Sequence, residues 1–121
     1  LRNLYLETHV GSADLADSLA RRTMGRAPAH MLLLHETDLA AMYLVDLVAE
    51  LRSKGWTIIT ADEAFADPIN TAMPDVPYSA GTLIGSMAWE KDIEPPMSPI
   101  WMSAGMATFL FESRVLQKDE Q

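Results

Sequence analysis

Three histidines, His9, His30 and His35, are the side chains here whose ordinary titration lies near neutrality, and the chain has no cysteine. His35 closes an apolar run, His30-Met31-Leu32-Leu33-Leu34-His35. Read as a strand, the run puts Met31, Leu33 and His35 on one face and Leu32 and Leu34 on the other. A histidine at the C-terminal end of such a strand sits where α/β barrels place catalytic groups. From spacing alone it reads first as a hydrogen-bonded residue closing the strand. Metal binding by the three histidines is not expected. His30 and His35 are an odd number of residues apart, so a strand points them to opposite faces, His9 reads as a helix-surface residue, and the sequence contains no His-x-x-x-His spacing. The acidic groups Asp14/Asp17 and Glu90/Asp92/Glu94 read as solvated faces. Met24, Met42, Met87, Met97, Met102 and Met106 read as core filler or contact surface. Trp89 and Trp101, near proline-rich turns, suit a sugar-binding groove or docking against a neighbouring chain.

The elements that must position these residues follow from periodicity. Residues 1–25 predict a helix with a break near Gly11. Leu4, Tyr5, Leu15, Ala16, Leu19, Ala20 and Met24 form its stripe, and Gly25 with Pro28 stops it. His30–His35 predicts a strand covered on both faces, as in parallel sheets. Asp38 is expected to cap a helix over 39–54, with Leu39, Tyr43, Leu44, Leu47, Val48 and Leu51 inward and Gly55 as its end. Trp56–Ile59 predicts a second strand. Thr60 and Glu63 form a capping box for a short helix that Asp67-Pro68 terminates. Ser79 is expected to cap a helix over 81–91. Pro95, Pro96 and Pro99 forbid helix, and a last helix is expected over 103–116, with Ala104, Ala107, Phe111 and Val115 on one face. The expected class is therefore α/β: a helix-rich partial (β/α) barrel with a short parallel sheet. Two strands leave both edges open, so oligomerisation is expected to complete the sheet.

Composition narrows the function. The 121 residues and 49% hydrophobic content suffice for one domain with a core. A formal net charge of -8 with scattered Lys and Arg disfavours nucleic acid and anionic membranes. The lack of cysteine rules out disulfides and thiolate metal sites and leaves the compartment open. No apolar run approaches the ~18 residues of a membrane span, and no signal-peptide pattern is visible. Leu1 opens what already reads as a helix, so the start is expected to be a cut.

Met31-Leu32-Leu33-Leu34-His35 resembles the last motif of the NodB-type polysaccharide deacetylases, a hydrophobic strand ending in Leu-x-His. The likeness continues through Tyr43-Leu44, Leu47, Leu51, Lys54-Gly55-Trp56, Ala61-Asp62-Glu63-Ala64 and Ala66-Asp67-Pro68. It covers residues 1–93, the C-terminal part of the bacterial family's barrel. Residues 94–121 lie beyond it, as a proline-rich hinge and a C-terminal helix. The resemblance implies a carbohydrate hydrolase that cleaves N-acetyl groups with a divalent metal such as zinc, in a family often exported or periplasmic. It implies His35 as the catalytic acid that protonates the leaving amine and Leu33 as a substrate-binding residue against the acetyl methyl.

The family's metal ligands, an Asp and two His of a His-x-x-x-His motif, and its catalytic base precede the matched segment. The chain is therefore expected to hold no metal and to be inactive alone, with carbohydrate bound only if an N-terminal half completes it. The alternative is a self-associating interaction module without a catalytic role. A third reading has an N-terminal half on another chain restoring activity. Homodimerisation is expected, with residues 99–121, including Trp101, Met102, Met106, Phe109 and Phe111, as the arm that reaches across.

Overall fold

A computed structural model describes residues 1–76, 81–94 and 104–117. Its elements are α1 (Arg2–Met24), α2 (Asp38–Ser53), α3 (Ala61–Phe65), a 3-10 turn (Pro68–Thr71), α4 (Leu83–Glu90) and α5 (Ala104–Arg114). No strand occurs among the described residues. This overturns the expected α/β class, the short parallel sheet and the partial barrel. Both segments read as strands, 30–35 and 56–59, are irregular connections.

The reason lies in where their backbone groups go. A strand exists only through a ladder to a neighbour. At the start of the second segment, Gly55 N–H donates to Arg52 O at 3.0 Å and Trp56 N–H to Leu51 O at 3.0 Å. This is the paired closure of a Schellman motif, with Gly55 at φ +90° as its left-handed residue. Trp56 therefore finishes α2 instead of opening a strand. At the other end, Thr60 N–H donates to the Glu63 carboxylate at 2.8 Å. Only residues 57–59 remain between the two caps. In the first segment, the His35 carbonyl accepts from Thr37 N–H at 2.9 Å, the turn that leads into α2. The expected burial on both faces is also absent: Met31, Leu32, Leu33, Ile58 and Ile59 are exposed.

Helix α1 runs unbroken through Gly11, contrary to expectation. An interior glycine costs about 1 kcal/mol relative to alanine. Burial of Tyr5, Leu6 and Val10 before it, and of Leu19 and Ala20 after it, outweighs that. Gly25, at φ +76°, ends the helix as expected, with its N–H on Arg21 O at 2.8 Å. Two caps differ from expectation. Thr37, not Asp38, is the N-cap of α2, its hydroxyl accepting from Ala40 N–H at 3.2 Å. Thr82 caps α4, accepting from Gly85 N–H at 3.0 Å. Ser79, the three prolines 95, 96 and 99, and Trp101 lie outside the described residues.

The chain divides into two compact units. The first comprises Leu1–Ser12, Leu34–Ile58 and Ser98–Gln121. Its buried residues are Tyr5, Leu6 and Val10 of α1 with Leu47 and Leu51 of α2. Tyr5 and Tyr43 approach with ring centroids 5.7 Å apart, Arg2 Nε donates to Asp46 at 2.7 Å, and Arg114 donates to Glu7 at 2.7 Å. Leu39 and Leu44, expected on the inner face of α2, are exposed. The second unit comprises Ala13–Leu33 and Ile59–Met97. Its core joins Leu19 and Ala20 of α1, Ile69, and Ile84 and Ala88 of α4, with Met24, Leu83, Met87 and Ile93 packed against them. Ala20 and Ala88 are fully buried, and their small side chains let this core pack closely. Lys91 Nζ donates to the Thr23 carbonyl at 2.9 Å, closing one of the last carbonyls of α1.

Candidate functional site

The sequence-predicted site residues stand in the connection between α1 and α2. Leu33 is 81% exposed and His35 is exposed. The His35 imidazole makes no hydrogen bond among the described residues. The residue proposed from the sequence as an acid is therefore held only by its backbone, through the turn to Thr37. Strand alternation no longer orders the two side chains, because the segment is not a strand.

The other two histidines are engaged separately. His9 is half-buried, not on the helix surface as expected; its Nδ1–H donates to the Tyr5 carbonyl at 2.8 Å, and its ring lies 4.1 Å from that of Tyr5. A carbonyl only accepts, so this contact fixes the proton on Nδ1. His30 Nε2–H donates to Asp17 Oδ1 at 3.2 Å, and Arg21 Nε donates to the other oxygen at 2.7 Å. Partial burial opposes the charge on Asp17, yet hydrogen bonds from Arg21 and His30 prevail, and its carboxyl titrates below its ordinary value. Among the described residues no group of three or more His, Cys, Asp or Glu could hold a metal ion. No helix there is long and apolar enough to cross a membrane.

The most fully satisfied polar centre was not legible in the sequence. Arg26 grips Asp67 with two hydrogen bonds, Nη1 to Oδ2 at 2.9 Å and Nη2 to Oδ1 at 2.6 Å. Asp67 also accepts from Ala29 N–H at 2.9 Å and from Ile69 N–H at 2.9 Å, capping the 3-10 turn. The guanidinium first, then the two amides, hold its carboxyl well below the usual carboxylate range. This is a structural clamp, since its oxygens are already occupied. Arg26 and Asp67 are 41 residues apart, and the one signal for Asp67 was its place before Pro68.

Two buried hydroxyls, Tyr5 Oη and Thr23 Oγ1, have no hydrogen-bond partner among the described residues. In α5, Phe109 and Phe111 are exposed, and Trp101 and Met102 of the expected arm lie outside the described residues.

Neither protein-family models, nor curated proteins, nor solved structures match this chain.

Proposed function

We propose that this chain supplies the acid histidine to a metal-dependent N-acetyl-sugar deacetylase site whose remaining groups lie outside these residues. One observation carries the reading: Leu33-x-His35 ends an apolar run whose side chains, Met31 to Leu33, are exposed, so that His35 and Leu33 are presented outward. In this reading Leu33 contacts the acetyl methyl. His35 donates a proton to the sugar nitrogen as the carbon–nitrogen bond breaks, so that the amine leaves neutral. The described residues do not fit a metal site. His9 and His30 are committed to Tyr5 and Asp17, and among the described residues no group of three ligands forms. The metal and its activated water belong to the complementing segment.

The test is complementation. A NodB-type deacetylase lacking its own Leu-x-His segment is mixed with this chain, and acetate release from N-acetylglucosamine oligomers is measured. The expected result is release with the wild-type chain, loss with His35→Ala, and none from the chain alone with added zinc. No release from the mixture, or equal release with His35→Ala, would overturn the reading. A second reading, a self-associating module without catalysis, is favoured by the exposed apolar side chains of α2, Met42 and Val45.

A further inference from the structure

Helix α2 carries apolar residues on two faces. Leu47 and Leu51 are buried, while Met42 is 63% and Val45 83% exposed on the opposite side. The outward residues are not scattered. Asp38, Met42, Val45, Ala49 and Arg52 follow one another at spacings of four, three, four and three, and all are exposed. That is the heptad seam along which one helix packs on another. Its ends are charged with opposite signs, and among the described residues neither Asp38 nor Arg52 forms an ion pair. Each stands seven residues, two helical turns, from Val45.

We infer that this seam is the interface of an antiparallel homodimer, with α2 of a second copy as its occupant. The choice of partner comes from the equal spacing of the seam's two charged ends from Val45. A two-fold axis at Val45 reverses the second helix and sets Asp38 of each copy against Arg52 of the other, about 21 Å apart along the seam in each helix. Met42 and Ala49, three residues before and four after Val45, then come within one residue of level with each other across the seam. The small Ala49 side chain leaves room for Met42 at an interaxial distance of about 8–10 Å. A parallel pair would oppose Asp38 to Asp38 and Arg52 to Arg52, so charge selects the antiparallel arrangement. One helix pair covers less than the roughly 800 Å² per partner of a standard interface, so the dimer is weak and concentration-dependent. The inference does not rest on the deacetylase reading, which the complementation assay tests separately.

Sedimentation equilibrium of the full chain over a micromolar to millimolar range tests it, with circular dichroism confirming that each variant stays helical. The wild-type chain should show a monomer–dimer equilibrium. Val45→Asp places two like charges at the axis and should raise the dissociation constant about a hundredfold or more. D38R and R52D each make both end contacts repulsive and should each raise it about tenfold. An equimolar mixture of D38R and R52D should recover the association lost by each alone, because opposite charges meet at both ends of the mixed dimer. A wild-type chain that stays monomeric throughout would overturn the inference. So would a dimer indifferent to Val45→Asp, which places the contact on another surface, or a mixture of the charge variants no tighter than its components.

Discussion

Residues 60–71 and residues 30–35 are both short, and they treat their polar groups in opposite ways. In the first, Thr60 and Glu63 exchange two backbone-to-side-chain hydrogen bonds, 3.2 and 2.8 Å, and Asn70 Nδ2 donates to the Ala64 carbonyl at 3.0 Å. Asp67 gathers Arg26 and two amides. In the second, Leu33 is 81% exposed, and Met31 and Leu32 are exposed beside it. A polar segment can close its accounts with hydrogen bonds alone, some from three or six residues away and some from a single distant group such as Arg26. An apolar extended run can do so only through a neighbour that covers its side chains and pairs its backbone. The difference is in what the partner must supply, hydrogen bonds alone or cover and backbone pairing together, and it predicts where mutations will register.

The largest effect should come from outside both segments and sets the scale. Leu47 is completely buried, so Leu47→Ala should cost about 2–5 kcal/mol in urea unfolding. Next comes the Arg26–Asp67 clamp. Asp67→Asn removes the charge that Arg26 grips and should lower the melting temperature by several degrees at pH 7. The same clamp has a pH signature. The folded carboxyl titrates well below its unfolded value of about 3.9. In that window the unfolded chain binds the extra proton, so stability rises with pH. The contribution is complete above the unfolded pKa and fades as pH falls below it, toward the folded value. Asp67→Asn should remove that part of the acid dependence, read from unfolding midpoints between about pH 5 and 2.5.

Thr60→Ala should cost about 1 kcal/mol by deleting one side of the capping box. Smallest of all, Leu33→Ser should stay within about 0.5 kcal/mol, since an 81% exposed side chain has little packing to lose. A Leu33→Ser loss comparable to that of Leu47→Ala would erase the contrast between the segments and show the 30–35 run to be covered in solution.

The same contrast explains what could be read from the residues alone. The Thr60–Glu63 capping box and the stops at Gly25 and Gly55 appear in the structure as read, because each device spans no more than six residues. The strands at 30–35 and 56–59 were not formed, because whether an apolar run becomes a strand depends on a distant neighbour, and local pattern carries no word of it. The grip of Arg26 on Asp67 and the contact of His30 with Asp17 join residues remote in sequence, and composition alone does not pair them. Helix α2 was placed within a residue or two, yet of its outward residues Met42 reads as core filler or contact surface and Val45 is assigned no face. A helix apolar on two sides gives no sign of which side its own chain will cover. His35 and Leu33 were found by motif. The structure adds that both are exposed, and their chemistry rests on the complementation assay.

The open run at Met31–Leu33 also governs how the protein behaves as a colloid. At neutral pH a formal net charge of -8 makes the molecules repel one another and keeps such a sticky stretch from meeting its copies. The isoelectric point is near 4.6, where that repulsion vanishes while the leucines remain bare. Precipitation should therefore be fastest in mildly acidic buffer and should ease again on further acidification, as the molecule turns cationic. Added salt at pH 7 should mimic the approach to that point by screening the same repulsion. Handling this chain in low-salt buffer well above its isoelectric point follows directly from three apolar side chains in one loop.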